Sequence, residues 1–211
     1  MIQIDRTEIS NLGKIHKLNL INSCMGYKSA NLIGSISKNG NYNLAVFSSV
    51  THLGSDPALL GFILRPTSVP RHTYTNIKET GLFTVNAISE DMIEKAHQTS
   101  ASYEEEINEF DVTGIEAEIK PNIISPFVKN SPVQLLCKYV NEYTITENNT
   151  IHVIASIESL FVNDSLIKDD YWIQLDQGKI VAINGLDGYA KTSLLNRFSY
   201  ARPGQSLKII K

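Results

Sequence analysis

The stretch NLAVFSSVTHLGSDP, residues 43–57, decides the fold prediction for this chain. It predicts a β-strand over residues 43–50, which runs directly into small hydroxyl residues and a turn rich in Gly, Ser, Asp and Pro. Small side chains beside a row of backbone N–H and C=O groups let a flat ring approach closely and be recognised along its edge. A plain strand-turn-strand corner has the same composition, so this stretch alone leaves both interpretations open.

A second informative stretch, RPTSVPRHTYTN, spans residues 65–76. It places Arg65, Arg71 and His72 among Ser and Thr hydroxyls, just before a predicted short helix that ends at Gly81. Cations, hydroxyls and a helix N-terminus are three means of holding a phosphate. An ordinary capped helix with solvated charges would have the same sequence character, but the two stretches lie on either side of one predicted buried strand. That arrangement favours a ligand site.

The remaining sequence predicts mostly β-strands joined by tight turns. Further strands are predicted over residues 29–37, 58–64, 82–88, 133–146, 150–161, 172–175 and 179–183, the last two forming a pair around the turn at 176–178. Helices are predicted over residues 71–80, 89–97 and 102–110. Many short strands with a few helices favour a closed or nearly closed antiparallel barrel. Because no GxGxxG turn follows a strand, a doubly wound nucleotide-binding fold is a poor fit.

Composition sets limits on the function. The 211 residues are 42% hydrophobic and 19% charged, which predicts one globular domain over residues 1–211. A net charge of −3, with no run of Lys and Arg, predicts no nucleic-acid partner. Cys24 and Cys137 form no CxxC or Cys/His cluster, so no metal site is expected. The N-terminus is charged where a signal peptide would be apolar, and no stretch has the length to cross a membrane, so we expect a cytoplasmic protein.

Several motifs occur in a fixed order along the chain. They are KSANLIG at 28–34, N-x-A-x-F-S-S-V-x-H-L-x-S-D-P from 43, R-P at 65, T-x-x-N-I-x-x-T-G-x-F-x-V-N from 73, and HQTS at 97–100. Together they resemble the flavin-reductase-like domain family of FMN-binding split barrels, which includes flavin reductases and flavoredoxin-like proteins. The resemblance implies a mainly β fold, a six-stranded antiparallel split β-barrel with a few peripheral helices. It also implies a homodimer with FMN near the subunit interface, and an oxidoreductase that moves hydride or electrons through FMN, with NADH or NADPH as the expected co-substrate.

Carried over residue by residue, the resemblance gives a set of cofactor-binding candidates. Residues 47–51 would line the isoalloxazine ring, and Arg65 with residues 71–73 would hold the phosphate. The full set is Asn31, Phe47, Ser48, Ser49, Val50, Thr51, Arg65, Pro66, Arg71, His72 and Thr73. No catalytic residue is nominated, because hydride transfer to a flavin needs orientation and electrostatics from the protein more than an acid or base.

One position departs from the family pattern. Many NADH-dependent members have a Gly-Asp-His turn where this chain has Asn148, Asn149 and Thr150. His152 follows two residues later on a predicted strand, where a histidine is more commonly structural, so we do not nominate it as catalytic. His97 could equally cap a helix or face the flavin. Two alternatives therefore stay open: a flavoredoxin-like electron carrier or flavin-binding module without a nicotinamide site, and a dimeric scaffold that has lost flavin.

Overall fold

The computed structural model describes residues 1–210 as a mainly β protein with helices at its periphery. The strands are β1 (Lys28–Ser29), β2 (Asn31–Ile36), β3 (Tyr42–Phe47), β4 (Thr51–Ser55), β5 (Ala58–Leu64), β6 (Leu82–Ala87), β7 (Ala117–Glu118), β8 (Phe127–Val128), β9 (Val133–Ile145), β10 (Thr150–Val162), β11 (Val181–Asn184), β12 (Gly188–Lys191), β13 (Arg197–Phe198) and β14 (Ile209–Ile210). The helices are α1 (Arg6–Asn11), α2 (Lys14–Cys24), α3 (His72–Thr80), α4 (Ile93–Gln98) and α5 (Glu109–Thr113), with 3-10 turns at Glu90–Met92 and Asp164–Leu166.

The main sheet has seven antiparallel strands in the order β3-β2-β6-β9-β10-β5-β4. The expectation of a six-stranded barrel is therefore wrong in strand number, and the sheet does not close into a barrel. The extra strand is β4, whose Gly and Ser residues predict a turn. It pairs with β5 through a bulge between His52 and Gly54 and forms one free edge.

The two edge strands, β3 and β4, are consecutive in the chain and joined by residues 48–50 alone. The four residue steps from Phe47 to Thr51 span at most about 14 Å. The sheet must therefore curl until its opposite edges nearly meet, which leaves a seam bridged by Ser48, Ser49 and Val50. The seam thus lies within the segment that the sequence analysis assigned to ring recognition.

Two apolar cores fix this curvature. The inner core lies inside the curled sheet and contains the aromatic series Phe47, Phe62 and Phe83, with ring centroids 5.3 and 5.7 Å apart. Ile77 of α3 packs into the same core. The second core, with Leu32 among its members, joins the other face of β2 and β3 to α4, α5 and β11. Strand β2 is buried on both faces because it lies between the two cores, and β6 is covered on its second face by the segment around Pro126 and Val128.

Several predicted elements are confirmed. The 29–37 and 43–50 strands form the β2–β3 hairpin, and the 133–146 and 150–161 strands form the long β9–β10 hairpin. Helix α3 ends at Gly81, whose φ of 73° is the left-handed conformation that glycine favours. The 89–97 helix occurs as a 3-10 turn followed by α4.

Other predicted elements are wrong. No helix forms at 102–108; instead the Asn108 side chain accepts a hydrogen bond from the N–H of Phe110 at 3.1 Å, so α5 begins at Glu109. The proposed pairing of 172–175 with 179–183 does not occur either. Strand β11 pairs with β1 and β12, and only an isolated bridge involves Ile173.

The N-terminal helices have no counterpart in the sequence-based assignment. A reciprocal capping box starts α1: Asp5 accepts from the N–H of Glu8, and Glu8 accepts from the N–H of Asp5, both at 2.8 Å. The Asp-x-x-Glu pattern could have revealed this helix. None of the helices within residues 1–210 combines the length and the apolar character that a bilayer crossing requires.

Candidate functional site

A cleft of about 790 Å³ opens beside the seam of the sheet. One side is formed by residues 47–49 at the end of β3 and residues 63–65 at the end of β5. The start of α3 and the loop at 99–104 form further sides, and the end of α2 with Leu186 completes the lining. Its volume is within the range of about 300–1,000 Å³ typical of small-molecule sites.

Polar contacts hold the seam segment in a fixed position at the cleft. The Ser49 hydroxyl accepts from the N–H of Ile63 at 3.0 Å and donates to the carbonyl of the same residue at 3.1 Å. The Ser29 hydroxyl donates to the carbonyl of Val50 at 2.7 Å. The hydroxyl of Ser49 therefore ties the seam to β5, and Ser48 and Phe47, the last residue of β3, line the cleft beside it.

The cleft also carries cationic side chains, and two carboxylates, Glu104 and Glu109, line it as well. Arg71 and His72 line it at the N-terminus of α3, and Arg65 lines it directly after β5. Arg71 is the N-cap residue and gives no side-chain cap, so the first N–H groups of the helix lack the partner that a cap would supply. The ion pairs among residues 1–210 include neither arginine. Two guanidinium groups and a helix N-terminus thus converge where an anion could bind.

A buried polar network anchors that helix terminus. The Thr73 hydroxyl donates to Asn43 Oδ1 at 2.6 Å, and Asn43 Nδ2 donates to Glu109 Oε1 at 2.8 Å. The second oxygen of Glu109 accepts from the N–H of Leu44 at 2.9 Å. Asn76 Nδ2 extends the network by donating to the Ser35 hydroxyl at 3.1 Å, and that hydroxyl lies 3.3 Å from Asn43 Oδ1. Burial raises the pKa of the Glu109 carboxyl, although its contacts with Leu44 and Asn43 oppose that shift.

The structure brings seven of the eleven predicted site residues to one cleft. They are Phe47, Ser48, Ser49, Arg65, Arg71, His72 and Thr73. The other four do not line it. Thr51 is exposed on the edge strand β4, Val50 packs towards the inner core, and the carbonyl of Pro66 accepts from Arg71 Nε at 3.4 Å. Asn31 lies on β2, and its Nδ2 is buried without a hydrogen-bond partner among residues 1–210.

One further cation and the loop around Tyr103 line the cleft without having been predicted from the sequence. Lys28 lines the cleft, and its ammonium group donates to the carbonyl of Gly185 at 2.8 Å and to that of Asn22 at 3.4 Å. Lys28 begins the KSANLIG motif, and this position in a family motif could have indicated a role at the site. The loop at 99–104 was marked only by the HQTS motif, of which Thr99 and Ser100 reach the cleft.

The two other histidines considered from sequence lie outside the cleft lining. His152 extends over β5, where a methyl group on Gly61 would lie 2.4 Å from its Nε2 atom. His97 lies with its Nδ1 atom 3.3 Å from the Tyr189 hydroxyl, and their rings are edge to face. In the β9–β10 turn, Asn148 Oδ1 accepts from both the N–H and the hydroxyl of Thr150.

Comparison with known proteins gives a consistent result. Residues 28–177 match the flavin reductase like domain. A split-barrel protein from Shewanella frigidimarina NCIMB 400, proposed to be a flavin reductase, is 40% identical and has a TM-score of 0.92 over 95% of this chain and 100% of its own. An uncharacterised protein of Halalkalibacterium halodurans is 31% identical over 79% of this chain and 81% of its own length. The flavoredoxin of Desulfovibrio vulgaris (Miyazaki F) shares the fold, with 18% identity and a TM-score of 0.70 over 85% of this chain and 92% of its own.

Proposed function

The chain belongs to the flavin reductase like domain family, and on that premise we propose that its cleft binds FMN and that the protein is an FMN-dependent oxidoreductase. The observation that carries the proposal is the convergence of the seam segment and the cationic α3 terminus on one cleft. When bound, FMN would supply the hydride and electron chemistry, while the protein supplies position and electrostatics.

The cleft offers groups for each end of the cofactor. Ser48 and the backbone around it would contact the isoalloxazine ring. The hydrogen bonds of Ser49 and Val50 fix the position of that backbone before the ring binds. The single phosphate would lie at the N-terminus of α3, between Arg65 and Arg71. Both arginines are free of ion pairs within residues 1–210, so no carboxylate has to be displaced. A compact cationic end of this kind favours FMN over a dinucleotide flavin.

The test compares FMN with riboflavin, which lacks the phosphate, in an Arg71→Met variant. A hydrogen bond to a charged group contributes about 1.5–3 kcal/mol, so the Kd for FMN is expected to rise about 10- to 150-fold. The Kd for riboflavin should be unchanged. Arg6→Met, which removes the same charge from an exposed position on α1, is the control. If Arg71→Met weakens both ligands equally, the phosphate assignment is refuted; if wild-type protein fails to quench FMN fluorescence, flavin binding itself is refuted.

The first candidate function is a reductase that takes its hydride from NADH or NADPH. The second candidate is a flavoredoxin-like electron carrier. The turn at 148–150 favours the second, because it holds Asn148 and Thr150 in mutual contact and presents no imidazole. Anaerobic spectra of the FMN-loaded protein separate the two. A reductase is bleached by NADH or NADPH, whereas a carrier is bleached by dithionite and by neither nicotinamide.

We also propose that the protein is a homodimer with the cleft near the subunit interface, as the family resemblance implies. Leu53, which is 42% exposed on the edge strand β4, suits burial against a second copy. Sedimentation equilibrium gives the mass directly. A monomer at all concentrations, with FMN bound, would contradict the dimer and leave the flavin assignment intact.

A further inference from the structure

One wall of the cleft is apolar and comes from outside the segment that matches the family, residues 28–177. Ile21 and Met25 lie four residues apart at the end of α2, and Leu186 lies in the turn after β11. These three residues are 41%, 74% and 39% exposed, and no residue of α2 is buried. The protein's own cores therefore leave this wall uncovered, although it faces into a concave site.

Lys28 joins the two parts of the wall. Its ammonium group donates to the carbonyl of Gly185 in the turn and to the carbonyl of Asn22 in the last turn of α2, where helix carbonyls lack intrahelical partners. A methyl group on Gly185 would lie 3.8 Å from the Cβ atom of Ser23, so the turn and the helix are in van der Waals range. The helix end and the turn thus form one continuous surface, and two backbone carbonyls engage the cation within it.

The distribution of charge around the cleft indicates what this wall can bind. Arg65 and Arg71 line the cleft, and the proposed function assigns them to the FMN phosphate, while Glu104 and Glu109 supply the negative charge of the lining. The wall itself offers Ile21, Met25 and Leu186, and its one cation is engaged by backbone carbonyls. A pyrophosphate would find no pair of cations there, whereas an uncharged planar ring would bury apolar surface on both partners.

We propose that the wall formed by Ile21, Met25 and Leu186 is the subsite for a neutral, conjugated electron acceptor of the quinone type. The proposal rests on the proposed function, because the acceptor would lie between this wall and the flavin ring. Reduction of a quinone to its hydroquinone takes up a hydride and a proton. The flavin, when bound and reduced, would supply the hydride and be oxidised, and solvent would supply the proton.

The subsite can be tested by equilibrium binding, without turnover. Duroquinone is the probe, because its fully methylated ring does not alkylate the exposed thiol of Cys24. It is titrated calorimetrically into oxidised, FMN-loaded protein, in which no electron transfer occurs. Met25→Ser and Leu186→Ser should each raise the Kd for duroquinone about tenfold or more, as expected when an apolar contact is removed from a binding pocket. Ile15→Ser, an exposed position on the same helix outside the cleft, should change it less than twofold.

The Kd for FMN and the sedimentation mass are measured for every variant. The proposal is supported if duroquinone binding falls while FMN binding and mass stay at wild-type values. It is overturned if both wall variants bind duroquinone as wild type does. It is also overturned if the sedimentation mass of both variants falls to that of a monomer, since the wall would then be covered by a second copy of the chain. Wild-type protein that binds FMN but not duroquinone refutes the subsite alone, whereas wild-type protein that binds no FMN refutes the proposed function as well.

Discussion

Replacing Thr73 by Val should destabilise the protein by removing one hydroxyl from a buried network. Thr73 is 6% exposed, and its hydroxyl donates to Asn43 Oδ1 at 2.6 Å. Valine has nearly the same shape and is also β-branched, so the change creates no cavity and alters helix propensity little. What remains is an acceptor, Asn43 Oδ1, whose other neighbour is the Ser35 hydroxyl at the long distance of 3.3 Å.

The size of the effect follows from that loss. A buried polar group left without its partner costs about 1–3 kcal/mol. For a protein of this size, each kcal/mol shifts the midpoint of thermal unfolding by about 2–4 °C, so a decrease of about 2–12 °C is expected. The measurement is thermal and urea-induced unfolding followed by circular dichroism, in the absence of flavin.

Thr75→Val supplies the matched control. Thr75 lies on the same helix and is exposed, so the same substitution there should change the free energy of unfolding by less than about 0.5 kcal/mol. The reasoning is refuted if the free energy of unfolding of Thr73→Val also differs from that of wild type by less than about 0.5 kcal/mol. A Thr73→Ser variant, which keeps the hydroxyl, should recover most of the loss.

Three further predictions test other parts of the fold. Burial raises the pKa of Cys137, whereas Cys24 is exposed, so a thiol reagent should label one cysteine in the native protein and two in urea. Burial also raises the pKa of Glu109 above its ordinary 4.5, so the unfolded chain binds fewer protons at this carboxyl than the folded chain does once the pH exceeds 4.5. The stability of wild type relative to Glu109→Gln should therefore be greatest below pH 4.5 and decline as the pH rises through the raised pKa. Urea-induced unfolding across that pH range measures the difference in free energy of unfolding between the two proteins. A difference that stays constant or grows with pH would contradict the prediction. A methyl group on Gly34 would lie 2.4 Å from a backbone carbonyl oxygen, so Gly34→Ala should lower the free energy of unfolding by about 1–3 kcal/mol or more. Gly13→Ala is the control and should be tolerated, because the nearest atom to a methyl group there is 4.0 Å away. Equal unfolding midpoints for the two variants would refute this.

The sequence predicted those elements whose signals are local. The β2–β3 hairpin, the β9–β10 hairpin and the end of α3 at Gly81 each depend on a turn or a glycine within a few residues of the element. The identity of β4 as an edge strand and the partners of β11 could not be found in this way. Both depend on which distant strand lies alongside, and a turn-like composition does not prevent pairing at an edge.

The site shows the same division. The seam segment and the cations at 65–72 were predicted, because each is a continuous stretch with a recognisable character. The contact between Lys28 and Gly185 joins positions 157 residues apart, so no spacing rule could have indicated it. The apolar wall of Ile21, Met25 and Leu186 was missed for that reason, since no single stretch of sequence contains it.

The segment from Asn43 to Asn76 combines two roles that sequence alone cannot separate. Its two terminal asparagines, together with Thr73, lie in the buried network, so they hold the start of α3 against β3. Ser48 and Arg71 lie between them and line the cleft. A substitution in the network should therefore lower the unfolding midpoint with or without flavin, whereas a substitution at Arg71 should change flavin affinity and leave the midpoint of the flavin-free protein alone. Thr73 lies both in the network and in the cleft lining, so a Thr73 variant should change both observables.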